Sequence, residues 1–398
     1  MQKFSKRYLS FFLTLLFVLS AFAPAAGTFE LQAVAQTPVG DEAVTRVVAC
    51  SDFQYMNSVP SAYSSGLSSN ATGNAGGAVL ATAIASQMTS AGISGVDGFL
   101  CAGDFDYDLN RSATDTAAGI EALTGAVNSA GLTGSSTRFV YVQGNHDPLS
   151  TAGGTSHSGD NDPSDGAYGV FVVNERDYQW KNSGINETAT LALAEEMRRY
   201  FNSKIAVEYT APIFVISHVP LHYSMRTRID GDNVYAKDLF DVLQDAADNG
   251  LNIIFMFGHN HSQGWDDYLG GPNIFLAPGS KINIAQKGSQ TAYTEETLKF
   301  TYMNAGYTGY YEHRNTATGT ASSTTYDLAD LTMTSFEISS SSVVIKRYNT
   351  SGETDLKKAG NYNYYKNENT SVSYTPDDTV VGSSYTLPLG GVPETEYE

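Results

Sequence analysis

Apolar residues along this chain fall into two kinds of pattern, short unbroken runs and longer runs at helical spacing. Val44-Thr45-Arg46-Val47-Val48-Ala49-Cys50, Val96 to Ala102, Arg138 to Gln143, Pro212 to Ile216 and Leu251 to Phe257 are short and nearly continuous. Such runs predict strands covered on both faces. Between them, residues 76–91, 113–130, 187–204 and 235–249 predict helices. The apolar stripes there are Leu80, Ile84 and Met88, then Ile120, Leu123 and Val127, then Leu193, Met197, Tyr200 and Phe201, then Leu239, Val242, Leu243 and Ala246. Gly131 and Gly250 stand where two of these helices should stop. Tyr168 to Val173 predicts a further short strand, and 273–277, 280–285, 297–303, 332–338 and 342–348 predict consecutive ones. Strands alternating with helices, then strands alone, predict an α/β fold. We expect a four-layer α-β-β-α sandwich, a mixed sheet packed on a second, mainly antiparallel sheet with helices outside.

The two ends of the chain read differently. Lys3, Lys6 and Arg7 precede the almost wholly apolar stretch from Tyr8 to Ala23, and small-residue sites follow at Ala23-Pro24-Ala25 and Ala33-Val34-Ala35. That layout predicts an export signal over residues 1–35 and a secreted or cell-surface protein. An uncleaved anchor is the alternative reading of the same apolar length. No later segment is long and apolar enough to span a bilayer. The folded domain is expected over 41–350, with 148–167 a long loop at its rim. Residues 351–398, dominated by Asn, Tyr, Thr, Gly and Pro, predict a tail or linker.

Composition narrows the partners. Lys and Arg number 23 against 42 Asp and Glu, a formal net charge of -19. That argues against binding to a nucleic-acid duplex, which depends on neutralising phosphates with basic side chains. A small phosphorylated substrate stays compatible with it, because bound cations dominate a local field. Cys50 and Cys101 are the sequence's 2 cysteines, so a disulfide scaffold is excluded. Each sits in an apolar run and reads as a buried free thiol, the two in neighbouring strands.

Each of the five short apolar runs delivers polar residues at its carboxyl end, where an open α/β sheet places ligands. The first delivers Asp52 and Gln54, the second Asp104, and the third Gly144-Asn145-His146-Asp147. The run at 212–216 delivers His218 and then His222, and the last delivers His259 and His261, whose strand spacing turns both to one face. Oxygen and nitrogen donors in this number suit two divalent cations about 3.5–4 Å apart, which generate a nucleophilic hydroxide at neutral pH and clamp phosphoryl oxygens. His222 either touches substrate or caps a loop. Arg226 and Arg228 either meet phosphate oxygens or are exposed loop arginines. His157 and His313 lie away from the clusters and read as incidental.

In this order, Asp-x-Gln, Gly-Asp, Gly-Asn-His-Asp, a lone strand-end His and Gly-His-x-His resemble the five motifs of the calcineurin-like metallophosphoesterases. The resemblance covers about residues 44–285, and the later strands fit that family's second sheet. It implies a secreted, bacterial-type member in which Asp52, Gln54 and His261 hold one metal and Asn145, His218 and His259 the other. Asp104 would bridge the two, His146 would stabilise or protonate near the leaving group, and Asp147 would orient His146. The family usually carries His where this chain has Gln54, a harder neutral ligand that favours Mn or Mg over Zn. Mn is therefore the expected metal, ahead of Fe, Zn and Mg. The Asp-x-Gln form is similar to that of Mn-dependent ADP-ribose/CDP-alcohol diphosphatases. The family's second motif often ends in an Asp three residues past the bridging one; Tyr107 stands there, flanked by Asp106 and Asp108. The function expected is a dinuclear metal-dependent phosphoesterase acting on a small phosphorylated substrate. The alternatives are a nucleotide-diphosphate or phosphodiester hydrolase and a catalytically inactive surface binding module.

Overall fold

Strands that are apolar at consecutive positions need apolar cover on both sides, and the computed structural model shows what covers each. It describes residues 44–55, 75–106, 113–147, 166–173, 187–222, 234–259, 274–309, 314–315, 320–321, 331–357 and 380–390. All lie in the unit Ala43–Glu398. The export signal over 1–35, most of the 148–167 loop, Tyr107, Asp108, His157, Arg226, Arg228, His261 and His313 lie outside the described residues.

The chain runs β1 Thr45–Cys50, α1 Ala75–Ser90, β2 Val96–Cys101, α2 Ala113–Ser129, β3 Thr133–Tyr141, β4 Gly169–Val173, α3 Glu187–Ile205, β5 Pro212–Ser217, α4 Ala236–Asp248 and β6 Asn252–Phe257. There follow β7 Phe275–Leu276, β8 Lys281–Ala285, β9 Tyr293–Thr297, β10 Thr301–Asn304, β11 Arg314–Asn315, β12 Thr320–Ala321, β13 Met333–Ile338 and β14 Ser342–Asn349. The last are β15 Gly352–Thr354, β16 Leu356–Lys357, β17 Val380–Gly382 and β18 Ser384–Pro388.

One sheet has the order β15-β14-β13-β1-β2-β3, with β18 also on β14, and the other β4-β5-β6-β10-β7. In the first, β1, β2 and β3 are parallel, and the pairings through β13 and β14 are antiparallel. In the second, β4, β5, β6 and β10 are parallel and β7 runs against them. The early and late strands do not sort into separate sheets as the alternation alone would have it. β13 pairs along β1, from Thr45↔Ile338 to Ala49↔Thr334, so the late strands extend the first sheet. Apolar patterning reports which faces are covered and is silent on which edges meet.

Period-two alternation assigns the faces. Val47 and Ala49, Leu100, Phe214 and Ile216, Ile254 and Met256, Phe336 and Ile345 point into the core between the sheets. Phe214 and Phe336 meet across it edge-on at 4.9 Å. The other faces of the same strands carry Val48, Cys50, Phe99 and Cys101 against α1 and α2. Ile213, Val215, Ile253 and Phe255 turn instead toward α3 and α4. The result is the four-layer sandwich. Cys50 and Cys101 are register partners on β1 and β2, both buried as free thiols.

One boundary differs from expectation. The strand expected over 297–303 is two, β9 and β10, and Leu298 and Phe300 are buried in the connection between them. Beyond 350, the described residues continue the sheet, because β15 and β18 pair with different stretches of β14 and Leu387 is buried. Among the described residues, no helix is long and apolar enough to cross a membrane.

Each of the four helices among the described residues ends in the same way. The backbone N–H groups of Ile93, Leu132, Tyr209 and Leu251 reach back to the carbonyls of Met88, Val127, Lys204 and Ala246. The residue before each donor is left-handed: Gly92, Gly131 and Gly250 at φ 89°, 72° and 89°, and Glu208 at φ 51°. That closure needs a left-handed residue, and glycine adopts it without a Cβ penalty. Glu208→Gly should therefore stabilise the fold by about 0.5–1 kcal/mol, the left-handed cost less glycine's extra chain entropy. Thermal unfolding checks this, and an unchanged or lowered midpoint contradicts it.

Candidate metal centre

The loops after β1, β2 and β3 come from one sheet and those after β5 and β6 from the other, and they are sewn together by backbone. Asp52 and Gln54 donate their N–H groups to the carbonyls of Gly103 and Asp104, both at 2.9 Å, and Gly258 donates to the carbonyl of His218 at 2.9 Å. Further bonds cross between the sheets. The His259 N–H donates to the Asp52 carboxylate at 2.9 Å, and His218 Nδ1 lies 2.7 Å from the Ala102 carbonyl. Glycines make the close approach possible. A Cβ on Gly258 would lie 2.6 Å from Asp52 Oδ2, and one on Gly103 would lie 2.8 Å from Gly144 N and 2.9 Å from His218 Nδ1. A Cβ on Gly144 would collide with the Asp104 carboxylate.

The backbone is bent to suit. Among the described residues, five other than glycine have positive φ, and four of them are Asp52, Gln54, Asp104 and His259, at 51°, 49°, 56° and 66°. Left-handed geometry at such residues is unfavourable and persists where the surroundings hold it, commonly at functional sites. Local propensity did not choose these turns; the need to aim side chains did.

What they aim at follows from lone pairs. The Ala102 carbonyl can only accept, so His218 Nδ1 carries a proton, and the ring in its neutral form presents a lone pair at Nε2. Around that atom stand Asn145 Oδ1 at 2.9 Å, His259 Nδ1 at 3.2 Å and Asp104 Oδ2 at 3.2 Å. One proton, on either ring, satisfies one of these approaches. A divalent cation satisfies all of them, and these donors are of the kind that bind it. Donor atoms of Asp104, His218 and His259 lie within 4.8 Å of one another, all three residues buried. The residues present thus fit a metal ion. The same crowding governs protonation. Burial works against charge on His218 and is outweighed by Asp104, which pushes the imidazole up to about 9. Burial likewise opposes ionisation of Asp104, yet His218 and His146 hold it well below the usual carboxylate range.

Asp147 gathers backbone N–H groups from two loops. Its carboxylate accepts the N–H groups of Asp104 at 3.0 Å, Phe105 at 3.0 Å, Asp106 at 3.3 Å and Gly144 at 2.9 Å. The Thr116 hydroxyl adds a fifth bond at 3.4 Å. Asp147 therefore binds the loop after β2 to its own loop. Burial and then the Asp104 charge push it up to about 7, against the N–H groups that favour its ionised form. His146 gives its backbone N–H to Asp104 Oδ1 at 2.9 Å, and its Nε2 lies 3.9 Å from Asp104 Oδ2. Asp52 and Gln54 are buried at the ends of the same strands. His222 is buried too, against Phe257 and Tyr302. Sequence reasoning missed Tyr302, whose strand-like surroundings gave no polar signal.

No family model matches the chain, and no curated protein matches it. Among solved structures it is similar to a dimetal phosphatase from Danio rerio, with 11% sequence identity and a TM-score of 0.42, over 78% of this chain and 98% of that one. The chemistry of this chain rests on its own residues.

Gly144→Ala should push the Asp104 carboxylate out of place, weaken metal binding and cost about 1–3 kcal/mol of stability. Gly125→Ala on α2, where a Cβ meets nothing within 4 Å, should be neutral or stabilising by about 0.5–1 kcal/mol. Calorimetry and metal titration of the pair check both; equal behaviour would refute the close-approach argument.

Proposed function

We propose that this protein is an exported hydrolase of phosphoric esters that works with two divalent metal ions, Mn being the first choice. The observation that carries the reading is the convergence of Asp104, Asn145, His218 and His259 donor atoms around one point. Asn145, His218 and His259 would hold one ion, Asp52, Gln54 and His261 the other, and Asp104 would touch both. Ions so held lower the pKa of bound water and neutralise phosphoryl oxygens. The protein's own part is positional. Asp147 keeps the Asp104 loop in place, and the Ala102 carbonyl holds His218 with its Nε2 lone pair turned inward. His146 is the exposed member, its side chain 12% accessible above fully buried Asp104. That suits a group that meets substrate and delivers a proton to the departing oxygen. The acidic protein as a whole repels phosphate, so the ions supply the attraction.

Gln54, a buried amide at a metal-holding position, supports a second reading in which the substrate is a nucleotide diphosphate or a phosphodiester. Export is supported by Lys3, Lys6 and Arg7 ahead of the apolar stretch from Tyr8 to Ala23.

The test is turnover of an aryl phosphate, its diester and a nucleotide diphosphate, with Mn and after chelation. Metal-dependent hydrolysis of at least one is expected, and the ranking separates the two substrate readings. A folded chain that retains metal and hydrolyses none is the inactive binding module, and the proposal fails. Asp104→Asn should lower turnover by more than about 100-fold, beyond what loss of an outer contact costs. His146→Ala should lower kcat by about 100-fold or more while metal content is kept. Loss of metal from His146→Ala would reassign that residue as a ligand.

A further inference from the structure

The loop that begins at His218 closes at His222, and its closure runs through one hydroxyl. Tyr302 Oη accepts the backbone N–H of Leu221 at 2.9 Å and of His222 at 3.2 Å, and it lies 2.9 Å from His222 Nδ1. A phenol has two lone pairs and one proton. With both lone pairs engaged, the proton goes to His222 Nδ1, and the ring is the neutral tautomer protonated at Nε2. Burial keeps it neutral, pushing His222 down to about 3, and pushes the Tyr302 hydroxyl up, so the donor is permanent.

The pair is seated in aromatic surroundings. The Tyr302 ring stacks on Phe255 at 5.3 Å and 4° and touches Phe257 at 4.9 Å, and the His222 ring meets Phe257 edge-on at 5.6 Å. His222 also bridges to Ile284 on β8. Phe257 is two residues before His259, and His222 is four residues after His218. One knot therefore fixes the exits of β5 and β6, which bring His218 and His259 to the candidate metal centre.

We propose that Tyr302 and His222 form a buried positioning pair that sets the spacing of His218 and His259, and that neither touches substrate. This rests on the reading of those two histidines as metal ligands. Moving one histidine relative to the other by a fraction of an ångström spoils a shared cation, whereas the aromatic packing alone tolerates it.

The experiment compares the full chain with Tyr302→Phe, which keeps the ring and removes the hydroxyl, and with Phe255→Leu, which loosens the same cluster and leaves the hydroxyl. Mn2+ affinity is measured without substrate, at a temperature where near-UV circular dichroism shows all three folded. Both variants should melt earlier than the parent. Tyr302→Phe should bind Mn2+ at least about tenfold more weakly, and Phe255→Leu within about twofold of the parent. Equal loss in the two, or none in Tyr302→Phe, overturns the proposal and leaves the hydrolase reading standing. A parent that binds Mn2+ but hydrolyses no phosphoric ester does the reverse. If Tyr302→Phe does not fold, long-range proton–nitrogen correlation on the parent decides. His222 should show a bare Nδ1 and a protonated Nε2 at neutral pH, and the opposite tautomer overturns the assignment.

Discussion

Electron pairs crowded together away from water repel one another, and the folding of this chain brings several of them to one place. Asp104, Asn145, His218 and His259 meet where two sheets end, at separations that suit a shared cation. The rest of the local structure serves that crowding. Glycines at 103, 144 and 258 remove the side chains that would hold the loops apart, and Asp147 draws in the N–H groups of 104–106 and 144. The left-handed residues cost on the order of 1 kcal/mol or more each, and ligands from separate strands recover that cost once an ion is bound.

The acidity of the chain belongs in the same picture. The chain carries a net charge of -19, while the centre is assembled from imidazoles and amides around buried carboxylates. Affinity for an anion then depends on what the centre holds rather than on basic side chains.

Much of this was legible before any coordinates. Continuous runs such as Pro212 to Ile216 demanded burial on both faces, and Gly131 and Gly250 marked helix ends that the structure closes with left-handed glycine. The strand-end placement of Asp52, Asp104, Asn145, His218 and His259 needed only the runs that precede them. Sheet membership was not legible, because hydrogen bonding between β1 and β13 is backbone to backbone and leaves no side-chain trace. The task of Asp147 was hidden for a similar reason. Three of its partners are amides 41 to 43 residues upstream, which have no letters of their own. Tyr302 sits among aromatic and apolar neighbours, and nothing in its spacing announces a hydroxyl with three partners. Glu208 shows the converse, a conformation that its residue type argues against and that only the helix-closing bonds explain.

The centre draws donors from both layers of strands, Asp104 and Asn145 from one and His218 and His259 from the other. An ion held there acts as a rivet through the sandwich. Sliding or parting of the layers and escape of the ion become one event. Slow exchange of the ion would then report on opening of the whole molecule rather than on the breathing of a loop.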